Sequence, residues 1–169
     1  MDDISSKTPF KKVLVALDYD NHAQKIAEMG YSIAKAMGAE VVLLHVLVDA
    51  TYYSAIEYSP MLGMGGYGGA SFSTIAEEKG LEQAAFNFLE NVRNHLGDQE
   101  ITLKVGEGNF ADIILNRADN YNADLIVLGS HKKGWFEKMI AGNVADDVFQ
   151  ETQIPLLIIP IKELKKTQK

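Results

Sequence analysis

The sequence predicts a doubly wound α/β sandwich, a five-stranded parallel sheet with helices on both faces. Three observations carry that prediction. Five short runs are rich in β-branched and apolar residues. In three of them the apolar character is continuous instead of alternating, which marks strands covered on both faces. Segments of helical periodicity separate the runs, and strands alternating with helices through right-handed crossovers make this class.

The first strand is "KKVLVALD" (11–18). After it Asn21 is placed to cap a helix whose apolar stripe is Ile26, Met29, Ile33 and Met37, with Gly38 as its stop. The second strand is "AEVVLLHVL" (39–47). A long connection rich in Gly, Tyr and Ser follows at 49–73, a length that within a compact domain marks function or mobility. Leu81, Ala84, Ala85, Phe88, Leu89, Val92 and Leu96 then form a helical stripe closed by Gly97. "ITLKVG" (101–106) is a more alternating strand, and Phe110, Ile113, Ile114, Arg117, Ala118 and Tyr121 mark the next helix. "DLIVLG" (124–129) is the fourth strand. Val144, Val148 and Phe149 mark the last helix, and "PLLIIPI" (155–161) the final strand. One domain over 11–161 is expected, with an N-terminal extension at 1–10 and a polar, frayed tail at 162–169. No internal repeat is visible.

Composition narrows the function classes. The formal net charge of −7 opposes nucleic acid and anionic membranes as partners. The absence of cysteine removes disulfides, thiolate zinc sites and cysteine catalysis. "MDDISSKTPFKK" has no apolar core of a secretory signal, and no run approaches a membrane span, so a cytoplasmic protein is expected.

Candidate sites divide unequally. Gly63, Gly65 and Gly68 spell G-x-G-x-x-G, but the preceding strand ends near Leu47, far from where a dinucleotide turn must begin. The match is rejected as a dinucleotide fingerprint. Asp18 closes the first strand, where open α/β sheets bind ligands, and its carboxylate suits a ribose hydroxyl or Mg²⁺. Asp20 is assigned to capping. His45, inside an apolar run, reads as a hydrogen-bonded core residue, while His131 lies in a candidate loop. His22 and His95 form no zinc-like pair, and Ser130 in "LGSHK" lacks the nucleophile elbow. The residues offer no convincing catalytic machine.

"GSHKKGWFEKMIAGN" (129–143) is the strongest constellation. Gly129 would let the chain turn sharply at a strand end, and Gly142 with Asn143 precedes a helix. A helix N-terminus behind a glycine turn offers free N–H groups and a positive dipole end to phosphate. The same residues would also serve as a helix cap without any ligand.

The patterns "VLVALD", "LLHV", "VGEGNFADIIL" and "ADLIVLGSHKKGWFEKMIAGNVADDVFQETQIPLLIIP" resemble the universal stress protein family from about Lys11 to Ile161. That resemblance implies the strand order 3-2-1-4-5 of the Rossmann-like, adenine nucleotide alpha hydrolase-like sandwich, and a stress-response protein. Members that bind ATP carry Gly, two residues, Gly, nine residues, Gly, then Ser or Thr. Gly129 and Gly142 match in register, whereas Lys132 stands at the second glycine and Asn143 at the Ser/Thr position. Gly108 matches the glycine after the third strand. The resemblance implies a nucleotide site made of Asp18, Val46, Gly129, Ser130, His131, Lys132, Gly142, Asn143 and Val144. Asp18 would face ribose and any Mg²⁺ carried by ATP, and Val46 the adenine. Asn143 keeps a polar cap. Lys132 brings a stem where backbone should approach phosphate, but also a charge that attracts it. The alternative is a nucleotide-free interaction module of the same fold, acting through dimerisation and partner binding. Slow ATP hydrolysis would need a water-activating group, with His131 and Asp18 the first suspects. The resemblance also implies a homodimer through strand 155–161, whose apolar edge otherwise needs a cover.

Overall fold

The computed structural model describes residues 10–47, 78–131 and 144–161. Their elements run β1 (Lys12–Ala16), α1 (Ala23–Ala36), β2 (Glu40–Leu47), α2 (Glu78–Leu96), β3 (Thr102–Glu107), α3 (Phe110–Tyr121), β4 (Leu125–His131), α4 (Val144–Glu151) and β5 (Leu156–Ile161). The five strands form one sheet in the order β3-β2-β1-β4-β5, every neighbouring pair parallel. Val15 sits in register with Leu43 on one side and Val127 on the other, so β1 is the centre from which the winding reverses.

The continuous apolar runs are explained by two cores. Val13, Val15 and Leu17 join Leu43 beneath α1 and α2, with Phe88 and Leu89. Leu14 and Ala16 face the other way, joining Leu44, Val46, Leu128 and Val148 beneath α3 and α4. Both faces of β1 are therefore dry, and each buried Val or Leu contributes about 1.5–3 kcal/mol.

Local chemistry ends the elements. Asn109 caps α3, its side chain accepting from the N–H groups of Ala111 at 3.0 Å and Asp112 at 3.2 Å. Gly108, immediately before, has φ of 132°, a conformation that favours glycine, and its N–H donates to the Leu47 carbonyl at 3.0 Å. Asp124 staples the start of β1, accepting from the N–H groups of Lys11 at 2.7 Å and Lys12 at 3.0 Å.

Three expectations are corrected. The cap position of α1 is His22, not Asn21, and no side chain caps it there. Asp20 does the local work by accepting the His22 N–H at 2.7 Å. The buried stripe of α1 is Ala23, Ile26, Ala27, Gly30 and Ala34, while Met29 is 41% exposed. Small residues let the helix lie close on the sheet around Ile26, while Ile33 and Met37 pack half-buried against that core and Met29 turns outward. Finally, β4 runs two residues past the expected Gly129, because Ser130 and His131 still pair with Pro160 and Ile161 of β5.

Candidate functional site

A cavity of about 140 Å³ opens at the C-terminal ends of β1, β2 and β4, where the winding reverses. Asp18 and Asp20, from the turn after β1, supply its carboxylates. Its apolar wall comes from Leu44, Val46, Phe110, Ile114, Leu128 and Ala145. Val144, at the start of α4, and Gly129 complete the ring near Ile26 and Ile161. A parallel sheet places this opening next to the N-termini of α3 and α4, the ends that favour negative charge.

The expected site residues distribute as follows. Asp18, Val46, Gly129 and Val144 line this one cavity, although they lie far apart in sequence. Ser130 is buried in β4 and is not among the lining residues. The backbone of His131 closes β4 opposite Ile161 instead of entering a loop. Lys132, Gly142 and Asn143 lie outside the described residues, as do the connection 49–73, with Gly63, Gly65 and Gly68, and the tail 162–169.

Gly129 has a different reason to be glycine from the one expected. It stays within β4 and does not turn the chain. A Cβ there would run into the Ile26 side chain and come within 2.9 Å of Ile161 Cδ1. The missing side chain keeps room where the cavity meets the sheet. Phe110, Ile114 and Ala145 were not singled out as site residues, because helical periodicity marks them equally well as core.

Electrostatically the mouth is acidic. The Asp18 carboxylate is exposed and accepts from the Tyr19 N–H at 2.7 Å. Burial raises the Tyr19 hydroxyl above its ordinary range. Behind Tyr19, His45 is 2% exposed, as its apolar run predicts, and its Nδ1 lies 2.8 Å from the Leu17 carbonyl. Burial lowers its pKa, opposed by that carbonyl and by the Asp18 charge, so the ring is neutral and Nδ1–H is the donor. Among the described residues no group of three or more His, Asp or Glu side chains stands together to hold a metal. Among them, too, no helix is long and apolar enough to cross a membrane.

Comparison with known proteins bears on the family and the fold. The model of the Universal stress protein family matches residues 9–160. A universal stress protein of Methanocaldococcus jannaschii is 26% identical over 157 residues, covering 90% of this chain and 96% of the relative. The chain superposes with TM-score 0.61 on a universal stress protein in complex with cAMP, at 16% identity, covering 89% of this chain and 97% of that one. An Archaeoglobus fulgidus universal stress protein in complex with dAMP superposes with TM-score 0.54 at 19% identity, covering 88% and 97%. These likenesses confirm the fold, and the match along nearly the whole sequence settles the lineage: the chain belongs to the universal stress protein family.

Proposed function

We propose that the cavity binds ATP or a related adenine nucleotide as a regulatory ligand of a stress-response protein. The observation that carries this reading is convergence: Asp18, Val46, Gly129 and Val144 meet at one opening, at the sheet's switch point. The chemistry suits a nucleoside. An apolar wall with one aromatic ring accepts a base, and a carboxylate at the rim accepts hydroxyl donors. Gly129 leaves room for close approach. The complexes of family members with cAMP and dAMP support the same ligand class. Asp18 would hold ribose and any Mg²⁺ brought by the nucleotide, and Val144, at the start of α4, would stand nearest the phosphate. Bound Mg²⁺ would supply charge neutralisation for the phosphates.

Denaturing the purified protein and assaying the supernatant for adenine nucleotide tests this, together with calorimetric titration of Mg-ATP, AMP and cAMP. Asp18→Asn should weaken binding about tenfold or more, the scale of a lost hydrogen bond to a charged group, about 1.5–3 kcal/mol. An empty supernatant with no titration heat would leave the nucleotide-free interaction module as the reading. Lys132→Gly then reports on the lysine: a gain in affinity shows that its stem obstructs phosphate, a loss that its charge pairs with it.

We further propose a cytoplasmic homodimer joined through strand 155–161. β5 is the sheet's edge, and Phe149, Ile154, Pro155, Leu156 and Ile158 line an apolar groove beside it.

A further inference from the structure

The buried side of β2 carries a polar group that the cavity wall does not use. His45 and Ser130 are the buried polar residues of the described chain, and His45 faces away from the cavity, on the α1 and α2 side. A hydrocarbon would fill that space at lower desolvation cost, so the imidazole must return something through its bonds. Its Nδ1–H reaches the Leu17 carbonyl at 2.8 Å. Leu17 lies one residue past the end of β1, and its own N–H donates to the Leu44 carbonyl at 2.8 Å. Two consecutive residues of β2 thus hold Leu17 by both of its backbone groups.

The grip continues on the other side of Asp18. The Tyr19 ring packs against His45 with centroids 6.1 Å apart and against Phe88 at 4.8 Å. His45 meets Phe88 edge-on at 5.4 Å. Tyr19 also donates its N–H to the Asp18 carboxylate, and the Asp20 N–H donates to the Asp18 carbonyl at 3.0 Å. Asp18 is therefore flanked by a residue whose carbonyl is bonded to the imidazole and one whose ring leans on it. An exposed carboxylate at a strand end would otherwise sample many positions, and holding it in advance reduces the ordering cost of binding.

We propose that His45 is the positioning residue of this site: from the opposite face of the sheet it fixes Leu17 and Tyr19, so that the Asp18 carboxylate is presented at the cavity mouth. The proposal rests on the nucleotide reading for its purpose, while its geometric claim stands on the free protein. The neutral imidazole donates and does not touch the ligand.

The test compares His45→Leu, which removes the donor, with His45→Asn, whose amide restores one near the place of Nδ1. In the free protein, amide NMR should show Asp18, Tyr19 and Asp20 resonances displaced in His45→Leu and returned close to wild type in His45→Asn. By calorimetry, His45→Leu should lower affinity for Mg-ATP about tenfold, and His45→Asn should recover most of it. In an Asp18→Asn background, His45→Leu should then cost less than twofold, because the group it positions is gone. Unmoved Asp18–Asp20 resonances, or affinity losses that multiply in the double variant, would overturn the proposal. If wild type binds no nucleotide, the ligand reading fails separately, and the resonances alone decide the positioning claim. His45→Gln provides a second donor variant where His45→Asn folds poorly, and it is judged by the same resonances.

Discussion

His45 is a single buried residue with a measurable signature in stability. Burial lowers its pKa, so the folded chain keeps the ring neutral at a pH where the unfolded chain, near an ordinary value of about 6.5, takes up a proton. Above that pH neither state binds the proton and nothing is lost. Below it the unfolded state binds more protons, so stability falls with falling pH, by at most about 1.4 kcal/mol per pH unit until the folded pKa is reached. Urea unfolding at pH 7.5, 6.5 and 5.5 should show wild type losing more stability than His45→Asn between the last two points. Equal slopes would mean that the ring takes up its proton alike in the folded and unfolded chain. The sequence shows why such a residue is only half legible. An apolar run announces a buried histidine, but its partner Leu17 lies 28 residues away, and local spacing carries no sign of it. Asp18 could be singled out because a strand end followed by a turn is itself a local pattern, whereas Gly129, expected at such a turn, lies inside β4 and is glycine for lack of space. Phe110 and Ala145 could not, since a helix face looks the same whether it lines a cavity or fills a core.

At the scale of elements, the strands were legible because burial on both faces leaves only apolar choices. The fine rotation of α1 was not. Ile26, Met29, Ile33 and Met37 have the right period, but the face that meets the sheet is the one with the smallest residues. Gly30 shows the reason: a Cβ there would lie 2.8 Å from Val15 Cγ2 and 3.3 Å from Val127 Cγ1. Helix propensity favours alanine over glycine by about 1 kcal/mol. The valines are β-branched, stiff and fully buried, so overpacking, at about 1–3 kcal/mol, is the larger effect. Gly30→Ala should therefore destabilise by about 1 kcal/mol, whereas Met29→Lys, on the exposed face, should change stability by less than about 0.5 kcal/mol. Chemical denaturation of the two variants checks this. A stabilised Gly30→Ala would show that the helix can lift from the sheet at little cost.

For the whole molecule, the unsolved demand lies along β5. It is the last strand of the sheet, and Leu156, Leu157 and Ile158 are only half-buried. Phe149, expected to join the core stripe of α4, is instead 63% exposed and lines the groove beside β5 with Ile154 and Pro155. Phe149 is exposed on the side where, among the described residues, no strand follows β5. A second copy presenting the same strand and the same phenylalanine across a two-fold axis would cover both edges at once. Charge works against it, because each chain carries a formal −7. The association must then be apolar in origin, and added salt should tighten it as the Debye length falls below about 8 Å. Light scattering should give about twice the 18.6 kDa of one chain. Phe149→Glu places a charge in that contact without removing a core residue, so it should shift the mass toward the monomer while leaving the fold's unfolding midpoint nearly unchanged at low protein concentration. A variant that stays dimeric would move the interface away from this edge, and a wild type that is monomeric at tens of micromolar would remove it.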